Sequence, residues 1–278
     1  KHIGKTWNRQ YLNSQSLQEI VERLDKAYRR FFDHKSKRAP KFKKAKFFTS
    51  FVMKQCGYKF NSNAVTITLG KERRTFRFHK SRNFTGNVKT VTIKRDSIGD
   101  YYLVIATDGC AERRVKSHNG ASTGIDFGLK TYLTLSDGSR IDNPQFLKKS
   151  LNEIKKASRK LSKAQRGSHN RERARLAYAR AQKRIADRRT DFQWKLAHDL
   201  CRRYDYIFTE TLNMDAMCRL WGRKVSDLSH SSFMEILKQV ADKYGCTVHC
   251  IDKWYASSRM CECGYKNEGL TLRERKWT

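Results

Sequence analysis

Two carboxylates stand where a chain seldom places them. Asp126 lies inside the apolar run from Thr123 to Phe127, flanked by Ile125 and Phe127 and bracketed by Gly124 and Gly128, and Glu210 follows Tyr206, Ile207 and Phe208 at the end of another such run. A carboxylate in a core strand is costly unless it is paired or metal-bound. Two hard cations ~3.5 to 4 Å apart, held by such acids, can activate a water and stabilise the leaving oxygen of a phosphodiester. Spacing alone equally allows Asp126 to cap a turn and Glu210 to face solvent. A second group is Cys261 and Cys263, with Gly264 after the second thiol, as in the tight turn of a zinc knuckle. Tetrahedral zinc needs four ligands. Cys246 and Cys250 could complete a set, but they occupy opposite ends of a predicted core strand, where His249 reads as an ordinary strand histidine.

The elements that must position the two acids follow from periodicity. Thr123–Phe127 and Tyr132–Leu135 read as strands, the second leading into the Asp137-Gly138 turn that tight hairpins favour. A basic helical region from Phe146 to about Tyr204, broken near Gly167-Ser168, reads as two antiparallel helices. A strand over Tyr206–Thr209, a helix from about Ser231 to Tyr244 and a strand over Thr247–Ile251 complete the pattern. An RNase H-like sheet has this order, with its central strands side by side, so that Asp126 and Glu210 could share metals.

Earlier in the chain, Leu17, Ile20, Val21, Leu24, Tyr28, Phe31 and Phe32 recur at helical steps. The stretch from Lys35 to Lys46 carries seven Lys or Arg around Pro40, either a solvated linker or a phosphate-contacting strap that includes Lys41, Lys43 and Lys44. Period-two patterns at Val65/Ile67/Leu69, Val91/Ile93 and Tyr102/Val104/Ala106 predict a small antiparallel sheet or barrel, turned at Gly70, Gly86 and Gly99-Asp100. In RRTFRFHKSRNF, Phe76 or Phe78 could stack on bases while Arg77, Lys80 and Arg82 hold phosphates, or the rings could be core. The polar, Gly-containing stretch Val115–Ser122 is the expected domain boundary.

Charge points to the partner. The 278 residues carry 60 Lys plus Arg against 27 Asp plus Glu, a net +33, together with 38% hydrophobic residues, enough for a core. Such an excess wants a polyanion, and the composition excludes a disordered basic tail. From Lys148 to Arg189 the excess is +13 over 42 residues. Solvated surfaces usually mix signs, so the hairpin reads as a nucleic-acid face, with Lys148, Lys149, Lys155, Lys156, Arg159, Lys160, Lys163, Arg166, Arg171 and Arg173 as contacts. No apolar run approaches a membrane span and the first residues hold no signal core, so an intracellular, nucleoid-associated setting is expected. Lys1 in place of Met and the ending RERKWT lead to the expectation that both ends are truncated.

With these residues in hand, the chain resembles the TnpB (OrfB) proteins of insertion sequences, RNA-guided nucleases related to miniature type V CRISPR effectors. GIDFGLK around Asp126 looks like the first RuvC motif, FTETLNM around Glu210 like the second, and SSRMCECGYKN like the first half of a zinc-ribbon. Secondary matches are RLDKAYRRFF with its basic PKFKK strap, and RLWGRKVSD, which adds Arg223 to the nucleic-acid contacts. The resemblance implies an α+β chain in four parts. These are a recognition-type helix and strap over 1–46, a β-rich, barrel-like wedge domain over 47–114, an RNase H-like (RuvC) nuclease domain with an inserted basic hairpin over 123–255, and a partial zinc-ribbon over 256–278. It further implies a guide RNA and a target DNA as partners, two Mg²⁺ ions at Asp126 and Glu210, and zinc at Cys261 and Cys263. The family's ribbon uses C-x-x-C where this chain has C-x-C, and its third RuvC aspartate lies just beyond a W-T pair like Trp277-Thr278. Three other readings compete: a guided DNA binder without cleavage, a miniature type V CRISPR effector, and a nucleic-acid-binding RNase H-like protein with no guide.

Overall fold

The computed structural model describes residues 13–42, 47–109, 116–252, 260–261 and 263–269. The chain divides into two compact units, Lys1–Ala111 and Glu112–Thr278.

In the first unit, α1 (Ser14–Phe32) is capped by Asn13, whose side chain accepts from the Gln15 amide at 2.8 Å. Six strands follow: β1 (Ser50–Lys54), β2 (Tyr58–Asn61), β3 (Ala64–Leu69), β4 (Glu72–Arg77), β5 (Val88–Arg95) and β6 (Tyr101–Thr107). They form two antiparallel sheets, β1-β5-β6 and β2-β3-β4. Met53, Val65, Ile67 and Val91 from both sheets make the core. Phe78 packs against this cluster while Phe76 is 46% exposed, so the two rings of the RRTFRF segment take different roles. Helix α1 meets β1 through Ser16, whose hydroxyl donates to the Val52 carbonyl, and through Lys54, which pairs with Glu19 and Glu22. Its apolar stripe, predicted as a packing face, is largely exposed at Val21, Leu24 and Phe32.

The second unit contains β7 (Ser122–Phe127), β8 (Thr131–Leu135), β9 (Arg140–Asp142), α2 (Phe146–Lys163), α3 (His169–Arg203), β10 (Tyr206–Glu210), α4 (Met214–Leu228), α5 (His230–Tyr244) and β11 (Thr247–Ile251). One five-stranded sheet has the order β11-β10-β7-β8-β9. Strands β7, β8 and β9 run antiparallel as a meander, whereas β10 joins β7 and β11 joins β10 in parallel. Parallel neighbours require crossovers, and α2–α3 and α4–α5 supply them. One face of the sheet, with Ile125, Phe127, Leu133, Leu135 and Ile207, is buried against Leu196, Leu200, Phe233, Leu237 and Val240 of α3 and α5. Phe127 and Phe233 meet edge to face at 5.7 Å. The sequence reading missed β9 and α4. Strand β9 has only three residues, and α4 is two helical segments joined at Gly222 with φ 37°, a kink that hides its period.

Candidate active site

Alternation along β7 decides where Asp126 points. Thr123, Ile125 and Phe127 are buried against the helices, so Asp126 projects from the opposite face and is solvent-accessible. The carboxylate therefore does not point into the core: the strand is apolar because every second residue packs, and Asp126 is one of the others. In β10, Ile207 and Thr209 are buried while Tyr206, Phe208 and Glu210 share the outer face. The parallel register pairs Phe208 with Gly124 and Thr209 with Ile125, so one step further Glu210 comes alongside Asp126. Both acids lie at the carboxyl ends of their strands, where ligands of open α/β sheets bind.

Between them runs a groove of about 330 Å³, lined by Gly124, Asp126, Thr134, Ser136, Phe208, Glu210 and Ile251 among others. Thr134 faces Asp126 across the β7–β8 ladder. The Ser136 hydroxyl accepts from the Gly124 amide at 3.2 Å and fixes the groove's wall. The turn after Asp126 demands glycine, since a Cβ at Gly128 would stand 2.8 Å from the Thr131 carbonyl oxygen. Desolvation by surrounding protein, with the neighbouring Glu210 charge added, raises the Asp126 pKa above the ordinary carboxylate value, and only the Phe127 amide opposes this. A like-charge pair of hard oxygen donors is a set that a divalent cation fits. Among the described residues, no three His, Cys, Asp or Glu side chains converge as a metal cluster.

His249, expected as an ordinary strand histidine, stacks its ring on Phe208 at 5.0 Å and on Tyr206 at 6.4 Å on this same outer face. The parallel register that pairs Phe208 with His249 brings the rings together.

The two candidate zinc thiols lie on a small hairpin closed by a Met260–Lys266 bridge. The Cys261 amide donates to the Tyr265 carbonyl and the Gly264 amide to the Cys261 carbonyl, at 2.8 and 2.9 Å. Hydrogen bonding from the Tyr265 amide, then from Cys261, holds the Cys263 thiol below its usual pKa. Cys246 is engaged elsewhere, its thiol donating to the Cys201 carbonyl at 3.2 Å.

Lys148, Lys149, Lys155, Lys156, Arg159, Lys160 and Lys163 are exposed along α2, as are Arg166 in the turn and Arg173 on α3. Arg171 differs. Its guanidinium donates to the Leu161 and Ala164 carbonyls at 2.9 and 2.8 Å and so caps the end of α2. In the first unit Lys41, Arg77, Lys80 and Arg82 are exposed, with Lys80 over the Phe84 ring at 5.4 Å. Lys43, Lys44 and the Arg223 side chain lie outside the described residues.

Residues 105–220 match the OrfB_IS605 family, described as "Probable transposase", and residues 230–278 match the "Cas12f1-like, TNB domain" family. Over these segments the chain is similar to the TnpB/OrfB proteins. The chain is 29% identical over 271 residues to a Streptomyces pristinaespiralis protein named "Putative RNA-guided DNA endonuclease", covering 96% of the chain and 67% of the relative. It is also 29% identical over 282 residues to a protein of Escherichia coli K12 named "Putative RNA-guided DNA endonuclease InsQ", covering 95% and 69%. In a solved Cas12f1-sgRNA-target DNA complex, one chain shares its fold with a TM-score of 0.55 at 12% identity, covering 88% of this chain and 62% of that one. The chain thus spans about two thirds of the proteins it matches. No helix among the described residues is long and apolar enough to cross a membrane.

Proposed function

We propose that this chain forms the nuclease part of an RNA-guided DNA endonuclease, with an RNase H-like sheet on which Asp126 and Glu210 hold Mg²⁺ for phosphodiester hydrolysis. The observation that carries the reading is the placement of these two acids on adjacent parallel strands, at their carboxyl ends, in one groove open to solvent. Bound Mg²⁺ would supply Lewis-acid stabilisation of charge developing on the phosphate. The protein's own residues hold the acids still: burial of Ile125, Phe127, Ile207 and Thr209 on the far face fixes both strands. The exposed cations of α2 and α3 provide sequence-independent contact with nucleic-acid backbone, consistent with sequence being read by guide pairing. The relatives named RNA-guided DNA endonucleases, and the similar chain solved in a complex with sgRNA and target DNA, support guide RNA and target DNA as partners. Cys261 and Cys263 would supply two of the four donors of a structural zinc site.

The test is cleavage of guide-matched DNA by the full-length protein, with Mg²⁺ or with chelator. Asp126→Ala or Glu210→Ala is expected to lower cutting at least about a hundredfold, the equivalent of ~3 kcal/mol of transition-state stabilisation. Guide and target affinity should stay nearly intact. Loss of binding equal to the loss of cutting in both variants would sink the assignment.

A further inference from the structure

Helix α2 carries the densest part of the basic face, yet none of its residues is buried, and its own start is poorly made. The residue ahead of it, Gln145, is left-handed at φ 51° and offers no side-chain cap. A helix start leaves amides that must find acceptors. Here the acceptor comes from 80 residues away. Both carboxylate oxygens of Asp227, at the end of α4, accept from the Leu147 amide at 3.1 Å, and Oδ2 also accepts from Lys148 at 3.4 Å. The same carboxylate takes an ion pair at 3.0 Å from Arg189 in the middle of α3. Both side chains are well shielded, with 8% of Asp227 and 19% of Arg189 exposed, so the charges meet at reduced dielectric. Next door, Gln193 of α3 donates to the Ser229 carbonyl and to the Tyr132 hydroxyl of β8, each at 3.1 Å. One acid therefore ties the start of the basic helix, its partner helix and the end of α4 at a point anchored to the catalytic sheet.

We propose that Asp227 is a positioning residue: it sets the angle at which the basic hairpin leaves the sheet and thereby aligns backbone held on that hairpin with the Asp126–Glu210 groove. This rests on the nuclease reading given above. Helix stability alone would not require a distant acid, because a Ser, Thr or Asp at position 145 could cap α2 locally. A carboxylate from α4 that also holds α3 does something a local cap cannot, which is to fix the three helices relative to one another.

The experiment uses the full-length, guide-loaded protein. Asp227→Ala is expected to lower the single-turnover cutting rate at saturating DNA tenfold or more and to spread the cut over neighbouring positions, while target affinity changes less than threefold. Asp227→Asn keeps one acceptor for the amides, guards against failure of the alanine variant to fold, and is expected to fall between the two. Wild-type rate and an unchanged cut position in folded Asp227→Ala would overturn the proposal, leaving only a change in Tm. A readout independent of cutting separates this from the nuclease assignment. Spin labels introduced as unnatural residues at Gln165, in the hairpin turn, and Ser139, in the β8–β9 turn, should give a broader distance distribution in Asp227→Ala than in wild type. An unchanged distribution also overturns the proposal, whether or not the wild-type protein cuts.

Discussion

Asp126 is held at a cost to the protein itself. Its folded pKa is raised, so relative to the unfolded chain it binds its proton more tightly. Stability gained from this group is present below the unfolded pKa and is lost as pH rises through the folded value; at neutral pH the ionised acid opposes folding. Asp126→Asn is accordingly expected to raise the Tm of the metal-free protein at pH 7, with the gain vanishing near pH 3, while cutting is lost. A lower Tm at pH 7 would show that the acid is not desolvated by its neighbours. Activity bought with local instability is common at catalytic sites. The pair itself was legible in the sequence because acids in apolar strands are rare, whereas the outward direction of Asp126 needed the pairing of β7 with β8 and β10. The arrival of Asp227 at α2 could not be read, since its partners lie 80 and 38 residues away and no periodicity links them.

At the scale of elements, the hairpin α2–α3 behaves as one braced arm. Asp227 closes its start, Arg171 caps the end of α2, and Glu153 pairs with Arg184 across the two helices. That bracing leaves the outer lysines available to phosphate. Replacing Lys155, Lys156, Arg159 and Lys160 together with Gln is expected to weaken binding and flatten its dependence on log salt by up to ~0.9 per lost contact on duplex DNA. An unchanged slope in a salt titration would return the arm to a merely solvated surface. Hairpin, strands β7, β8, β10 and β11, and helix α5 were readable because each keeps its period over several residues. The kinked α4 and three-residue β9 were not, and composition alone could not separate Phe76 from Phe78, because Phe76 stays exposed within β4 while Phe78, just past the end of that strand, packs on the core.

Across the second unit, the sheet is locked where it begins. Lys116 donates to the Cys201 and Tyr204 carbonyls and pairs with buried Asp205 at 2.7 Å, which also accepts from the Asn119 and Gly120 amides and lies 2.9 Å from the His118 ring. Lys116 foremost, with the Gly120 amide and His118, holds Asp205 far below the usual carboxylate range. A depressed pKa contributes stability above the ordinary value near 3.9 and loses it as pH falls through the folded value. Asp205→Asn should therefore lower Tm at pH 7 and lose the wild type's additional acid sensitivity below about pH 4, as melts across that range would show. In the core between sheet and helices, Leu237→Ala is expected to cost about 2–5 kcal/mol in denaturant unfolding, since Leu237 is fully buried. The molecule thus combines a strongly basic surface, a buried core and two acids in one groove. The most direct measurement is to purify the full-length protein with its co-purifying RNA, sequence that RNA, and add matching or mismatched DNA with Mg²⁺. The account predicts one discrete RNA and cutting that requires match, Mg²⁺ and Asp126. Discrete RNA and tight binding with no cutting would contradict the nuclease assignment, and the absence of any discrete RNA would contradict guidance itself.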